Sequence, residues 1–214
     1  MKKAFLNRAL LALTVAAVAF TACSKDDDSG NGSGNGGNTN PPPVKKNELV
    51  YDGTAVDVKS ALMLDYGVYG GFNAYNFDLF ITTGSLEINP TSLRFEGEGD
   101  LLYIELFTNK QDGLEDGSYT FSAIDFGKPN TFETADYVIG FKSSDGSIVD
   151  ALEGSGGGIT SKFANGTYEI TIDLQLTNGK KLEGYFKGVI PKIEPRIEDP
   201  NVDKILPSAL RDFR

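Results

Sequence analysis

Residues 167–176, TYEITIDLQL, alternate strictly. Tyr168, Ile170, Ile172, Leu174 and Leu176 fall on one side, and Thr167, Glu169, Thr171, Asp173 and Gln175 on the other. A period of two over this length predicts a β-strand with one buried and one wet face. Asn165-Gly166 precedes it and Asn178-Gly179 follows it. Asn-Gly accepts the positive φ angles of tight hairpins, so an antiparallel meander of residues 158–163, 167–176 and 180–190 is expected.

The same pattern recurs upstream. Val56, Val58, Leu62, Leu64 and Tyr66 are expected on one strand face, with Asp57, Lys59 and Asp65 opposite. Tyr75, Phe77, Leu79 and Ile81 form a second face, and Leu102, Ile104 and Leu106 a third. Asp145-Gly146 separates a strand over 137–142 from a short one near Ile148. The turn and strand DGSYTF at 116–121 is echoed by NGTYEI at 165–170, which is too short to define a repeat. Helical periodicity is not visible anywhere in this region. About nine to eleven strands at this spacing predict an all-β domain over residues 47–192. The preferred architecture is an antiparallel β-sandwich, with a closed up-and-down β-barrel as the alternative. Residues 122–136 read as irregular, and a barrel needs matched tilt and stagger all the way round.

The N-terminus follows another logic. Lys2, Lys3 and Arg8 precede the apolar run ALLALTVAAVAF, Ala9 to Phe20. That run is about 12 residues, against roughly 20 for a bilayer-spanning helix, and the layout is that of a secretory signal over residues 1–22. Phe20-Thr21-Ala22-Cys23 resembles the lipobox of bacterial lipoproteins, with Phe20 where that family prefers Leu. The resemblance implies cleavage before Cys23 and lipid attachment to it. Ser24-Lys25-Asp26-Asp27-Asp28 resembles the acidic export signal of Bacteroidota-type lipoproteins, which implies transfer to the outer face of the outer membrane. Cys23 is the single cysteine, so none is left for a disulfide. Residues 23–46 then form the lipidated start and a tether. The Gly/Ser/Asn stretch 29–40 cannot bury enough apolar surface to order itself, and Pro41-Pro42-Pro43 stiffens its end. A coil of this length holds a domain roughly 25–30 Å from the membrane.

Charge and composition narrow the chemistry. The chain carries −10 at pH 7 from 20 basic and 30 acidic residues. Lys2, Lys3 and Arg8 leave with the signal, so 17 basic residues remain against 30 acidic ones and the processed chain stands near −13. This balance argues against nucleic acid as a partner. Histidine is absent, which removes Ser-His-Asp and Cys-His catalysis and imidazole metal sites. Nothing in the sequence calls for a cofactor or a metal.

Three stretches invite a chemical reading. Glu96, Glu98 and Asp100 would share a face if extended, a loose resemblance to the E-x-D-x-x-E pattern of laminarinase-like glycosidases. The order here is E-x-E-x-D, tryptophan is missing, and a polar strand face ending in a Gly-rich turn accounts for the same residues. Gly154-Ser155-Gly156-Gly157-Gly158 lacks the following helix that a phosphate-cradling loop needs, so a bulge or turn is expected. Residues 66–75, YGVYGGFNAY, join two long strands, and Tyr69 and Phe72 at the tip offer rings for stacking. Alternatively Tyr66 and Tyr75 finish the core faces and only Tyr69 is exposed.

Phe80, Tyr103 and Phe107 point outward by the alternation, which marks either a binding surface or a covered one. The Pro-rich tail over residues 193–214 carries Ile205, Leu206, Leu210 and Phe213 and is expected to pack back over part of the domain. Together these readings point to a non-enzymatic lipoprotein, displayed on the outer membrane as a binding or adhesion module for glycan or protein. A structural subunit of a surface assembly is the alternative, and a glycoside hydrolase using Glu96, Glu98 and Asp100 a weaker one. The hairpin-rich pattern also resembles small β-domains of Bacteroidota lipoproteins, which brings no activity with it.

Overall fold

The computed structural model describes residues 45–70, 73–125 and 127–195. The signal, the lipobox, Cys23, the export signal Ser24 to Asp28, Phe72 and the tail from residue 196 lie outside the described residues.

Twelve strands make up the described chain: β1 Glu48–Tyr51, β2 Thr54–Tyr69, β3 Ala74–Thr83, β4 Glu87–Ile88, β5 Phe95–Glu96, β6 Glu98–Thr108, β7 Gly117–Phe121, β8 Thr131–Lys142, β9 Asp150–Ala164, β10 Thr167–Leu176, β11 Lys181–Gly188 and β12 Lys192–Ile193. The alternation of residues 167–176 is β10, with Ile170, Ile172 and Leu174 buried. Asn165 and Gly166 both take positive φ, 53° and 75°, as the tight β9–β10 hairpin requires.

The main sheet closes on itself. Its order runs β1-β11-β10-β9-β7-β8-β6-β3-β2, and β1 also pairs with β2, while β8 also pairs directly with β9. Along the ring β1, β2, β3, β6, β8, β9, β10, β11 every neighbour is antiparallel. β7 wedges into the wall, parallel to β8 at Thr120 and Phe121 and antiparallel to β9 from Gly117 to Thr120. The result is a nine-stranded mixed barrel with β12 added beside β2 and the β4–β5 pair outside the ring. The all-β expectation holds, and the closed barrel is the architecture adopted. The stretch that favoured a sandwich is shorter than it looked: β8 already begins at Thr131, and β7 fills the wall where β8 and β9 diverge. Ile148 lies outside any strand, since β9 begins at Asp150.

The barrel interior is packed with side chains. Met63 from β2, Phe77, Leu79 and Ile81 from β3, Leu102, Ile104 and Leu106 from β6 and the β10 set form one cluster with Leu49, Tyr137, Ile159 and Leu182. Each fully buried Leu, Ile or Phe contributes about 1.5–3 kcal/mol from burial. A second cluster lies outside the wall: Leu62, Leu64, Phe80, Leu101, Tyr103, Val138 and Phe141, with Leu86, Ile88 and Leu93. These last three come from the excursion between β3 and β6, which lays its apolar side on the barrel.

One expected face is corrected. Val56 and Val58 pack against the interior, but Leu62 and Leu64 belong to the outer cluster, while Ala61 and Met63 point inward. The β2–β3 register shifts between Val58 and Ser60, and again between Asp65 and Gly67. One extra residue in one strand moves every later side chain to the opposite face. Gly154 to Gly158 lie within β9, and the β9–β10 register shifts opposite them at Gln175 and Leu176, so the expected bulge is present. At Gly157 φ is 106°, and a Cβ would run into the Asp173 carbonyl.

Candidate functional site

The barrel has two distinct ends. One carries the Asp52-Gly53 turn, the β4–β5 excursion and the turns after β8 and β10; the other carries the β2–β3 tip, the β6–β7 loop, the β9–β10 turn and the link from β11 to β12. At this second end the loop 109–116 folds over the mouth. Leu114 is fully buried in the interior cluster, and the Glu115 amide donates to the Tyr119 hydroxyl at 2.9 Å. Burial pushes the Tyr119 hydroxyl up to about 12, so it stays protonated in its role as a loop clasp.

The second register shift in β2 builds the site. Gly67 has φ 75°, and its amide donates to Asp65 Oδ1 at 2.9 Å, which fixes the bulge around Tyr66. Asp65 sits opposite inward-facing Phe77 and is buried, and its Oδ2 accepts from Lys192 Nζ of β12 at 2.7 Å. The hydrogen bond to Asp65 holds the Lys192 amine above its ordinary range, although burial opposes this. A cleft of about 300 Å³ opens beside the pair, lined by Tyr66, Asp65 and Lys192, by Asp112 of the mouth loop, and by Glu194. Next to the cleft the strand end is exposed: Tyr66 at 37%, Val68 at 64% and Tyr69 at 37%. Tyr69 packs edge-on against Phe107. The arrangement offers aromatic faces for stacking, flanked by an ammonium and carboxylates able to bond hydroxyl or amide groups.

The aromatic residues singled out from sequence fall into different settings. Tyr69 is exposed at the tip. Phe80, Tyr103 and Phe107 do point outward from the wall, but all three are buried in place. Phe80 lies 6.2 Å from the Phe95 ring of the β4–β5 excursion and 5.2 Å from Tyr103.

The three carboxylates of the glycosidase-like stretch do not converge. Gly97, at φ 95°, turns the chain between Glu96 and Glu98. Glu96 accepts from Asn89 at 3.1 Å, Glu98 lies 3.6 Å from Lys142, and Asp100 accepts from the Tyr137 hydroxyl at 2.8 Å and the Gly140 amide at 2.9 Å. Asp100 therefore closes the wall between β6 and β8 at its register shift.

Sequence reading missed Asp65 and Lys192 as partners. The one available signal was Asp65 itself, a charge ending the apolar run ALML at 61–64. Lys192 carried no signal, because its partner is 127 residues away in sequence. No protein-family model matches the chain, and neither a curated protein nor a solved structure matches it.

Proposed function

We propose that the protein is an outer-membrane-anchored, surface-displayed lipoprotein acting as a non-enzymatic binding or adhesion module for glycan or protein. The address rests on Phe20 to Cys23 and on the acidic run Asp26 to Asp28. The observation that carries the binding role is the run Tyr66, Val68 and Tyr69, exposed beside a polar cleft at one end of the barrel. With its interior filled by side chains, the barrel serves as a rigid scaffold and ligand is met on the outside. A tether of this length would hold the domain roughly 25–30 Å from the membrane, where a large glycan or a protein can approach.

The chain from residue 44 onward, screened on glycan and peptide arrays, tests this reading. Saturable binding that is lost on combined Tyr66→Ala and Tyr69→Ala supports it. A structural subunit is the second reading, favoured by apolar residues exposed elsewhere, Ile124 at 87% and Val149 at 78%. A blank array together with stable oligomers in solution would select that reading instead.

A further inference from the structure

Two Asn-Gly pairs turn the β9, β10, β11 meander, and the fold holds them differently. Asn178-Gly179, between β10 and β11, is tied at each reactive group. The Gly179 amide donates to the Leu176 carbonyl at 2.9 Å. The Asn178 side-chain amide donates to the Tyr51 hydroxyl at 2.9 Å, and its carbonyl accepts from the Lys180 amide at 3.0 Å. Asn165-Gly166, between β9 and β10, has none of these ties. Both residues are exposed, with φ of 53° and 75°. Among the described residues, neither the Asn165 side chain nor the Gly166 amide makes a hydrogen bond. Crowding does not separate the pairs, since a Cβ on either glycine would meet nothing within 4 Å. The same dipeptide is therefore clamped at one turn and open at the other.

We infer that Asn165 is a site of spontaneous deamidation in the folded protein, a modification from which Asn178 is protected. With no side chain on Gly166, its peptide nitrogen is sterically open to reaction. That nitrogen loses its proton to solvent base and attacks Asn165 Cγ. The N–Cγ bond forms, the Cγ–Nδ2 bond breaks, and the departing nitrogen takes up a proton and leaves as ammonia. Water then opens the cyclic imide at one of its two carbonyls, giving an aspartyl or an isoaspartyl residue. At Asn165 only the turn itself resists the attack. At Asn178 three hydrogen bonds must break first, which at their typical net strength slows the reaction at least about tenfold. The consequence is local. The isoaspartyl product adds one carbon to the backbone of a two-residue turn whose length sets the β9–β10 register. Phe163 and Tyr168 lie next to that turn, paired across the strands with ring centroids 4.6 Å apart, and Lys110 Nζ sits 5.3 Å from the Phe163 ring. The isoaspartyl product loosens this stack, whereas the aspartyl product keeps the backbone length.

The test incubates the full chain at mildly alkaline pH and maps its peptides by chromatography and mass spectrometry. The map reads the exchange of amide for carboxyl at each asparagine and separates aspartyl from isoaspartyl peptides. In the folded chain, conversion at Asn165 should run at least about tenfold faster than at Asn178. In guanidinium chloride, where only the local sequence acts, the two rates should draw together. Tyr51→Phe removes the hydroxyl that accepts from Asn178, and should speed conversion there while leaving Asn165 unchanged. Comparable folded-state rates at the two sites, or a faster Asn178, overturn the inference. An Asn165 that stays intact in the folded chain yet converts in guanidinium chloride also overturns it, because the turn would then be protective. An Asn178 rate untouched by Tyr51→Phe overturns the protection assigned to that hydrogen bond.

Discussion

Tyr69 lies edge-on against Phe107, ring centroids 5.0 Å apart and planes at 61°, yet the first is 37% exposed and the second not at all. The pair joins the exposed tip to the packed wall, so its two members should respond differently to truncation. Phe107→Ala should cost about 3–5 kcal/mol, the range for a buried ring. Tyr69→Ala should cost about 1 kcal/mol, the worth of the edge contact and little more. Urea unfolding of the two variants measures this, and equal losses would make Tyr69 a core residue and remove it from the site.

Alkaline pH should weaken the barrel. Burial, and next the hydrogen bond to Asp100, hold the Tyr137 hydroxyl well above its ordinary 10.0, and burial pushes Tyr119 up to about 12. Both groups are neutral when protonated and their folded values are raised. Above pH about 10 the unfolded chain releases protons that the folded chain keeps. Stability therefore falls as pH rises from about 10 toward 12, by at most about 1.4 kcal/mol per pH unit for each group. Lys192, raised by its bond to Asp65, acts in the same direction: its contribution is complete below about 10.4 and fades as pH climbs through the raised value. Urea midpoints at pH 8, 10 and 11 should drop progressively, and less steeply in Tyr137→Phe. A flat profile would show that these groups are open to solvent.

Gly157 and Gly156 are neighbours with opposite tolerances. Gly157→Ala places a Cβ against the Asp173 carbonyl and 2.8 Å from Leu174 Cα at φ 106°, and should cost on the order of 2–4 kcal/mol. At Gly156 a Cβ meets only the Gln175 Cβ, at 3.8 Å, and alanine there should change stability by less than about 0.5 kcal/mol. Thermal unfolding of the two variants checks the β9 bulge, and matching melting temperatures would place the bulge elsewhere.

Much of the wall was legible because alternation survives wherever a strand is regular. β10 coincides with the alternating stretch 167–176, and Phe77, Leu79, Ile81, Leu102, Ile104 and Leu106 face inward as their spacing says. Legibility fails at the irregular points. The extra residue near Lys59 reverses the faces of Leu62 and Leu64, and a one-residue bulge leaves no mark on a sequence already apolar at 61–64. Barrel closure was equally hidden. It depends on β1, four residues long, bridging β2 and β11, and on β7 filling the wall beside β8. Tyr69 was legible as an exposed ring between glycines. The Asp65–Lys192 pair was not, because it is made only when β12 returns to β2.

The proposed address makes its own demands. Cys23→Ala should leave the precursor uncleaved and without lipid, and normal membrane anchoring of that variant would refute the address. Replacing Asp26, Asp27 and Asp28 with alanine should retain the lipid but leave the protein facing the periplasm. Protease shaving of intact cells reads the difference: undiminished shaving of the triple variant argues against the acidic run as the export signal.

The binding role is tested most directly by affinity for the strongest array ligand, measured by titration calorimetry on three proteins. These are the unaltered chain from residue 44, the combined Tyr66→Ala and Tyr69→Ala variant, and Phe163→Ala. Phe163 is an equally exposed ring, at 39%, that packs on Tyr168 at the β9–β10 turn and serves as the control. Loss of two stacking faces should weaken binding roughly tenfold or more, with Phe163→Ala unchanged. Equal affinity for all three proteins would contradict the assignment of the Tyr66–Tyr69 edge as the ligand surface.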